Sequence, residues 1–167
     1  MKLIFISGQG GAGKSSVGKA LVKEINHSVY IGADSLVTTN PWEFGKKTDE
    51  LAIKNAICLI DNFLASEFEN IIIGGLARNQ EVLDKFLLAF NRETEMLFVW
   101  LRADKKIRIS RKEKRNRDLS DSENNFNFVD NLMPDIKAIN IENGKSIFID
   151  TSSKTVEEVI KEIKLEL

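Results

Sequence analysis

The sequence predicts an α/β fold in which a five-stranded parallel sheet lies between helices, as a three-layer sandwich. The first observation is that apolar segments of strand length alternate along the chain with segments of helical periodicity. The second is a glycine-rich segment between the first strand and the first helix. Strands that alternate with helices form βαβ units, whose right-handed crossovers place helices on both faces of the sheet.

Each strand and helix follows from its own pattern of apolar residues. Residues 2–7 are a short apolar run, typical of a buried parallel strand. Similar runs predict strands at 28–32, 70–74, 96–101 and 146–150. Helical spacing predicts helices at about 14–26, 48–67, 79–91, 104–116, 128–142 and 155–165. We interpret the polar, basic stretch at 102–127 as a solvated, mobile element within a single domain that spans residues 1–167.

The glycine-rich segment matches the Walker A pattern G-x-x-x-x-G-K-[ST] without departure. Glycine lets the backbone curve around phosphates, so that several N–H groups and a helix N-terminus face one anion. The pattern assigns Lys14 to the β- and γ-phosphates and the Ser15 hydroxyl to Mg²⁺. The predicted nucleotide-binding residues are Gly8, Gly10, Gly11, Ala12, Gly13, Lys14, Ser15 and Ser16.

Composition narrows the class of protein. A hydrophobic content of 43% and a charged content of 29% are ordinary for a soluble globular domain. A net charge of −1 argues against general nucleic-acid coating, which needs a basic surface. The chain shows neither a membrane-length apolar run nor a signal peptide, so we expect a cytoplasmic monomer or homodimer. The single cysteine, Cys58, is expected to be a small buried hydrophobe.

Candidate acceptor-site residues follow the second and third strands, because ligands of open α/β sheets bind beyond the carboxyl ends of the strands. Asp34 is a candidate base toward an alcohol or a Mg²⁺ ligand through water, and the alternative is a turn or helix-capping residue. The third strand is followed by Gly74 and Gly75 with no acid, which excludes the acidic pair of motor ATPases. Gly75 admits a ligand to the backbone, and Arg78 is either an anion-binding or a surface arginine.

Basic side chains crowd together before the last strand. Arg108, Arg111 and Arg115 share one helix face by their spacing. They predict either a solvated basic helix or a lid, at about 108–127, whose arginines close over the transferring phosphoryl group. Within the lid interpretation, Arg111 and Arg115 are the catalytic candidates.

Two aromatic residues, Trp42 and Phe44, follow Asp34 closely in the sequence. Their rings are expected either to stack against a flat or apolar acceptor or to cover the core. The first interpretation makes Trp42 a substrate-binding residue.

The chain resembles the nucleoside-monophosphate-kinase-like group of P-loop kinases, which includes shikimate kinase, adenylate kinase and chloramphenicol phosphotransferase. The resemblance rests on the glycine loop at 8–15, on Asp34, on the basic segment after Phe98-Val99-Trp100-Leu101 and on the closing strand at 146–152. It implies a P-loop NTPase sheet with an ATP site, an acceptor-binding region at about 35–70 and a short lid. It also implies that Thr151, Ser152 and Ser153 lie near the adenine, although these residues are equally suited to capping the last helix.

Departures from the family pattern limit the finer assignment. Asp34 is similar to the base of chloramphenicol phosphotransferase, whereas shikimate kinase has a D-x-D pair at this point. The chain also lacks the third glycine of shikimate kinase after Gly75 and the Asp-Arg pair of adenylate kinase near the third strand.

Together these features predict an ATP-dependent phosphotransferase that moves the γ-phosphoryl of Mg–ATP to a hydroxyl of a small acceptor. Asp34 deprotonates the acceptor, and Gly75 and Arg78 help to bind it. One alternative is a nucleotide or polynucleotide kinase acting on a phosphate-bearing acceptor. Another is a nucleotide-dependent switch, which is disfavoured because the GTPase motifs D-x-x-G and N-K-x-D are missing from 74–78 and 148–152.

Overall fold

The structure, a computed structural model, describes residues 1–41, 43–114, 127, 130, 131, 133 and 135–167. The strands are β1 (Lys2–Gly8), β2 (Ser28–Gly32), β3 (Asn70–Gly74), β4 (Glu95–Arg102) and β5 (Gly144–Asp150). The helices are α1 (Lys14–Leu21), α2 (Lys46–Ala65), α3 (Gln80–Phe90), α4 (Lys105–Lys114) and α5 (Val156–Lys164). Within these described ranges, no helix has the length and apolar character that crossing a membrane requires.

The sheet has the strand order β2-β3-β1-β4-β5, and every neighbouring pair is parallel. The central strand is β1, where Ile4 lies opposite Ile72 of β3 and Leu97 of β4. The glycine loop therefore leaves the middle of the carboxyl edge, with the ends of β2 and β3 on one side and those of β4 and β5 on the other. The predicted α/β fold with a five-stranded parallel sheet is confirmed.

Both faces of the sheet are covered, which explains why its strands are continuous apolar runs. In β1, Phe5 faces a core with α2 and α3, and its ring lies 5.1 Å from the ring of Phe86 in an edge-on contact. The next residue, Ile6, faces the opposite core together with Leu21 of α1 and Ile160 of α5. Alternate residues of one strand thus hold the two helical layers in place.

The predicted helix at 128–142 is wrong in its second half, because residues 135–141 have no regular structure. Pro134 stands within the predicted range, and proline disfavours a helix interior. Tertiary bonds hold the segment instead. Asp135 accepts a hydrogen bond of 2.6 Å from Nε1 of Trp100, and the guanidinium of Arg102 bonds to the carbonyl of Ile136.

The prediction that Cys58 is buried is also wrong, since its thiol is exposed. The buried residues of α2 are Ile53, Ala56 and Ile60, which recur at helical spacing. Cys58 lies two positions from both Ala56 and Ile60, on the opposite side of the helix. Its apolar neighbours in the sequence therefore do not bury it.

Replacing Phe86 by alanine should lower the free energy of unfolding by about 3–5 kcal/mol, because the ring is fully buried between α3 and β1. Urea unfolding followed by circular dichroism measures the loss. The control is Leu88→Ala in the same helix, where the side chain is 82% exposed and the change should stay within about 0.5 kcal/mol. Equal losses for the two variants would contradict this assignment of the core.

Candidate nucleotide and acceptor site

The glycine loop connects β1 to α1 through three residues with positive φ, namely Gly8, Gly11 and Gly13. At Gly11, a Cβ atom would lie 2.6 Å from the carbonyl oxygen of Arg108, so the loop touches α4 without room for a side chain. The Lys14 ammonium donates hydrogen bonds to the carbonyls of Gly8 at 2.8 Å and of Gln9 at 3.1 Å. The lysine thus lies across the concavity that its own loop forms.

Arg108 is a structural residue that anchors this loop. Its side chain is 4% exposed and makes a two-pronged ion pair with Asp130, with both N···O distances at 2.7 Å. It also donates to the carbonyls of Ala103 at 3.0 Å and of Gly10 at 3.2 Å. The expectation that the three basic residues share an open helix face does not hold for Arg108, which points inward to the glycine loop.

A cavity of about 380 Å³ opens on the β2–β3 side of the loop, and we call it the Asp34 cavity. It brings together five residues predicted from the sequence: Lys14, Ser15, Asp34, Gly75 and Arg78. Asp34 is exposed and stands on a short 3-10 turn that directly follows β2. The backbone of Gly75 has φ of +86°, and a Cβ atom there would lie 3.5 Å from Cε of Lys14. Donor-side and acceptor-side candidates therefore share one cavity.

Tyr30 of β2 lines the same cavity, and the sequence analysis missed it. Its ring fits between two glycines, since a Cβ atom would lie 2.2 Å from the ring at Gly18 and 2.3 Å from the hydroxyl at Gly74. The hydroxyl forms a hydrogen bond with the Ser15 side chain. Burial raises the pKa of Tyr30 above its usual value, the Ser15 bond opposes that rise, and the Asp34 carboxylate adds to it. The sequence does contain a signal for this residue: a tyrosine, with its polar hydroxyl, stands in an apolar strand close to the carboxyl edge where ligands were predicted to bind.

Arg78 lies in the Asp34 cavity with its charge already engaged. Its guanidinium pairs with the carboxylate of Asp49 in α2, and the two side chains are only 15% and 12% exposed. The ring of Phe44 covers the guanidinium at 4.6 Å from its centroid, within cation–π range. Asp49 was not singled out in the sequence because a charged residue in the first turn of an amphipathic helix is commonplace.

A second cavity of about 300 Å³ lies on the other side of α1, and we call it the Arg111 cavity. Its lining includes Gly13 and Ser16 of the glycine loop and Arg111 of α4. The Arg111 guanidinium donates to the hydroxyl of Thr151 at 3.0 Å and to its carbonyl at 2.6 Å. Arg111 therefore lies beside the loop but not in the Asp34 cavity with Lys14.

Thr151, rather than Ser152, is the residue after β5 that joins this cavity. Its buried hydroxyl lies 3.0 Å from the carbonyl of Ala12 and 2.9 Å from that of Arg102. The Ser152 hydroxyl instead accepts a bond of 3.0 Å from the backbone N–H of Asp104, which links the loops after β4 and β5. The predicted contact of Ser152 with adenine stays a prediction.

Three sequence predictions fall wholly or partly beyond this description. Trp42 and Arg115 lie outside the described residues, as does most of the predicted lid beyond Lys114. Residues 108–114 of that lid belong to α4, which packs at the glycine loop through Arg108. One cation there was overlooked: Cε of Lys112 would be 3.4 Å from a Cβ atom at Gly10.

The donors of the Asp34 cavity suit Mg²⁺. The Ser15 hydroxyl and the Asp34 carboxylate are hard oxygen ligands, and both line this cavity beside the glycine loop. No cluster of three or more His, Cys, Asp or Glu side chains that could hold a metal ion occurs in the described ranges. Mg²⁺ is commonly held by one or two protein oxygens together with substrate phosphates, so the residues present fit this ion.

Tyr30 is the only tyrosine in the chain, so the absorbance of tyrosinate reports it alone. The titration midpoint should lie above the usual value of about 10. Asp34→Asn should lower this pKa, because it removes a negative charge that disfavours tyrosinate. Ser15→Ala should raise it, because it removes a bond that favours tyrosinate. The control Asp61→Asn, in a remote ion pair with Arg92, should leave the midpoint unchanged. A rise of the pKa in Asp34→Asn, or a fall in Ser15→Ala, would contradict the geometry.

Solved structures of several kinases resemble this one in fold. A sugar kinase from Janibacter sp. HTCC2649 matches with a TM-score of 0.76 at 12% identity, covering 99% of this chain and 94% of that one. A gluconokinase from Sinorhizobium meliloti 1021 gives 0.65 at 16% identity, covering 99% and 93%. Shikimate kinase from Acinetobacter baumannii, in complex with shikimate, gives 0.59 at 20% identity, covering 97% and 90%.

Comparison of sequences places the chain in a family. No curated protein matches it. A family model described as an AAA domain matches residues 4–128, which contain the glycine loop, Asp34, Arg78 and all of α4. The chain therefore belongs to the AAA domain family, and its sheet and glycine loop have the P-loop kinase fold that the solved kinases share.

Proposed function

We propose that the protein is an ATP-dependent phosphotransferase that moves the γ-phosphoryl group of Mg–ATP to a hydroxyl of a small acceptor. The observation that carries the proposal is that Lys14, Ser15 and Asp34 line one cavity at the carboxyl edge of the sheet. A nucleotide on the glycine loop would present its terminal phosphate toward Lys14 and so toward Asp34. The fold shared with sugar, gluconate and shikimate kinases supports the same reaction class.

The nucleoside part of ATP would occupy the Arg111 cavity. This cavity adjoins the glycine loop at Gly13 and Ser16, on the side of α1 away from Asp34. Arg111, held by Thr151, presents a planar guanidinium that suits stacking on a base. Arg115 remains the candidate for closing over the phosphates, together with Lys112, whose side chain already lies at Gly10.

Transfer would proceed by direct displacement at the γ-phosphorus. The acceptor oxygen forms the new P–O bond, the bond to the β-phosphate oxygen breaks, and ADP leaves. The hydroxyl proton passes to the Asp34 carboxylate, which acts as general base. Lys14 stabilises charge on the transferring group once it turns from the loop carbonyls to the phosphates. When bound, Mg²⁺ neutralises phosphate charge, and Tyr30 would hold the Ser15 hydroxyl in place to receive it.

Replacing Lys14 by alanine should lower the rate of ADP formation by at least about 100-fold, the scale of losing one transition-state contact. A coupled assay for ADP, run over a panel of alcohol acceptors, measures it. The matched control is Lys19→Ala, an exposed lysine of the same helix, which should retain its rate. Near-normal turnover of the Lys14 variant would contradict a phosphate-binding role for this loop.

Asp34→Asn should reduce transfer to the acceptor by about 10²–10⁴-fold, because the amide cannot take up the proton. Nucleotide affinity, measured by calorimetry with a non-hydrolysable ATP analogue, should change little. The comparison variant is Asp61→Asn, whose partner Arg92 lies outside both cavities. Full transfer by the Asp34 variant would exclude its role as base.

A further inference from the structure

We infer that the acceptor is an uncharged, polyhydroxylated small molecule rather than a carboxylate or a phosphate ester. This inference rests on the proposed function and concerns the acceptor half of the same site. It distinguishes between the two kinase interpretations of the sequence, a kinase of small alcohols and a kinase of phosphate-bearing acceptors. In the second, Arg78 binds the anion of the acceptor.

Positively charged side chains are few in the described lining of the Asp34 cavity. Among the described residues that line the Asp34 cavity, only Lys14 and Arg78 are positively charged. Lys14 belongs to the glycine loop and is committed to the phosphates of the nucleotide. Arg78 is therefore the one cation on the acceptor side among the described residues, and its state decides how this described lining receives an anion.

Arg78 already has two partners within the protein, an acid and an aromatic ring. The Asp49 carboxylate is a built-in anion for this guanidinium, and both side chains are largely withdrawn from water. A pair that is shielded in this way is screened far less than a surface ion pair. Phe44 closes the face of the guanidinium at 4.6 Å. An acceptor carboxylate or phosphate would compete with Asp49 for this guanidinium, and displacing Asp49 would leave a largely withdrawn acid unpaired.

The other polar side chains of the Asp34 cavity include acids and hydroxyl groups. Asp34 and Glu43 add two further carboxylates, both on exposed positions of the lining, and Glu43 pairs with the exposed Lys47 at 3.8 Å. Like charges repel across a binding site, so these acids oppose an anionic acceptor. The same oxygens accept hydrogen bonds from hydroxyl groups, and hydroxyl side chains of Tyr30, Thr38, Thr39 and Thr48 also line the space. This lining favours a neutral molecule rich in hydroxyls.

The test is a matched acceptor panel: five- and six-carbon alditols, the aldonates with the same carbon chains, and the corresponding alditol phosphates. Product is detected by mass spectrometry and ADP release is coupled to an optical signal. The expected result is that kcat/KM for an alditol exceeds that for its charged counterparts by at least about tenfold. An aldonate or phosphate ester that is used equally well or better overturns the inference and leaves the kinase function standing. If no member of any charge class receives phosphate, it is the proposed function that fails.

Variants that neutralise a carboxylate sharpen the test. Asp49→Asn releases the Arg78 guanidinium, so the ratio of aldonate to alditol turnover should rise by about tenfold or more. The matched control is Asp61→Asn, which breaks another Arg–Asp pair away from the cavity and should leave the ratio unchanged. Glu43→Gln, at an exposed position, should move the ratio in the same direction by a smaller factor. Ratios that stay fixed in both cavity variants, with folding verified by thermal unfolding, contradict the inference.

Discussion

The Arg108 guanidinium is the contact on which the arrangement of the site depends. It joins the carbonyl of Gly10, the turn after β4 at Ala103 and the carboxylate of Asp130 in one buried cluster. A buried charge must be paired and fully hydrogen-bonded, so these elements are constrained together. Gly11 packs directly on the backbone of the same arginine. The curvature of the glycine loop is thus fixed from outside by α4 as well as by its own glycines.

A second constraint aligns β2 with the loop. The Tyr30 ring needs the space that Gly18 and Gly74 leave, and its hydroxyl then reaches Ser15. The position of a candidate metal ligand is therefore coupled to the strand that carries Asp34. One side chain links the nucleotide side of the site to the acceptor side, through packing that no motif describes.

Charge is distributed unevenly between the two halves of the site. On the nucleotide side, Lys14, Arg111 and Lys112 lie at or near the loop. On the acceptor side, Asp34, Glu43 and Asp49 outnumber Arg78 in the described lining. Electrostatic attraction would then direct the polyanionic nucleotide to the glycine loop and leave the other half of the site to an uncharged acceptor.

Local patterns in the sequence determined the sheet, the glycine loop and the position of Asp34. Buried parallel strands must be apolar on both faces, and the Walker A spacing follows from phosphate geometry. Both features can therefore be predicted from a short local stretch of sequence. Only the tertiary structure decided that Cys58 is exposed, that residues 135–141 are irregular and that Arg108 is buried. It also decided that Asp49 neutralises Arg78 and that Tyr30 reaches Ser15. These outcomes depend on partners from distant segments, whose approach is set by packing rather than by the residues beside them.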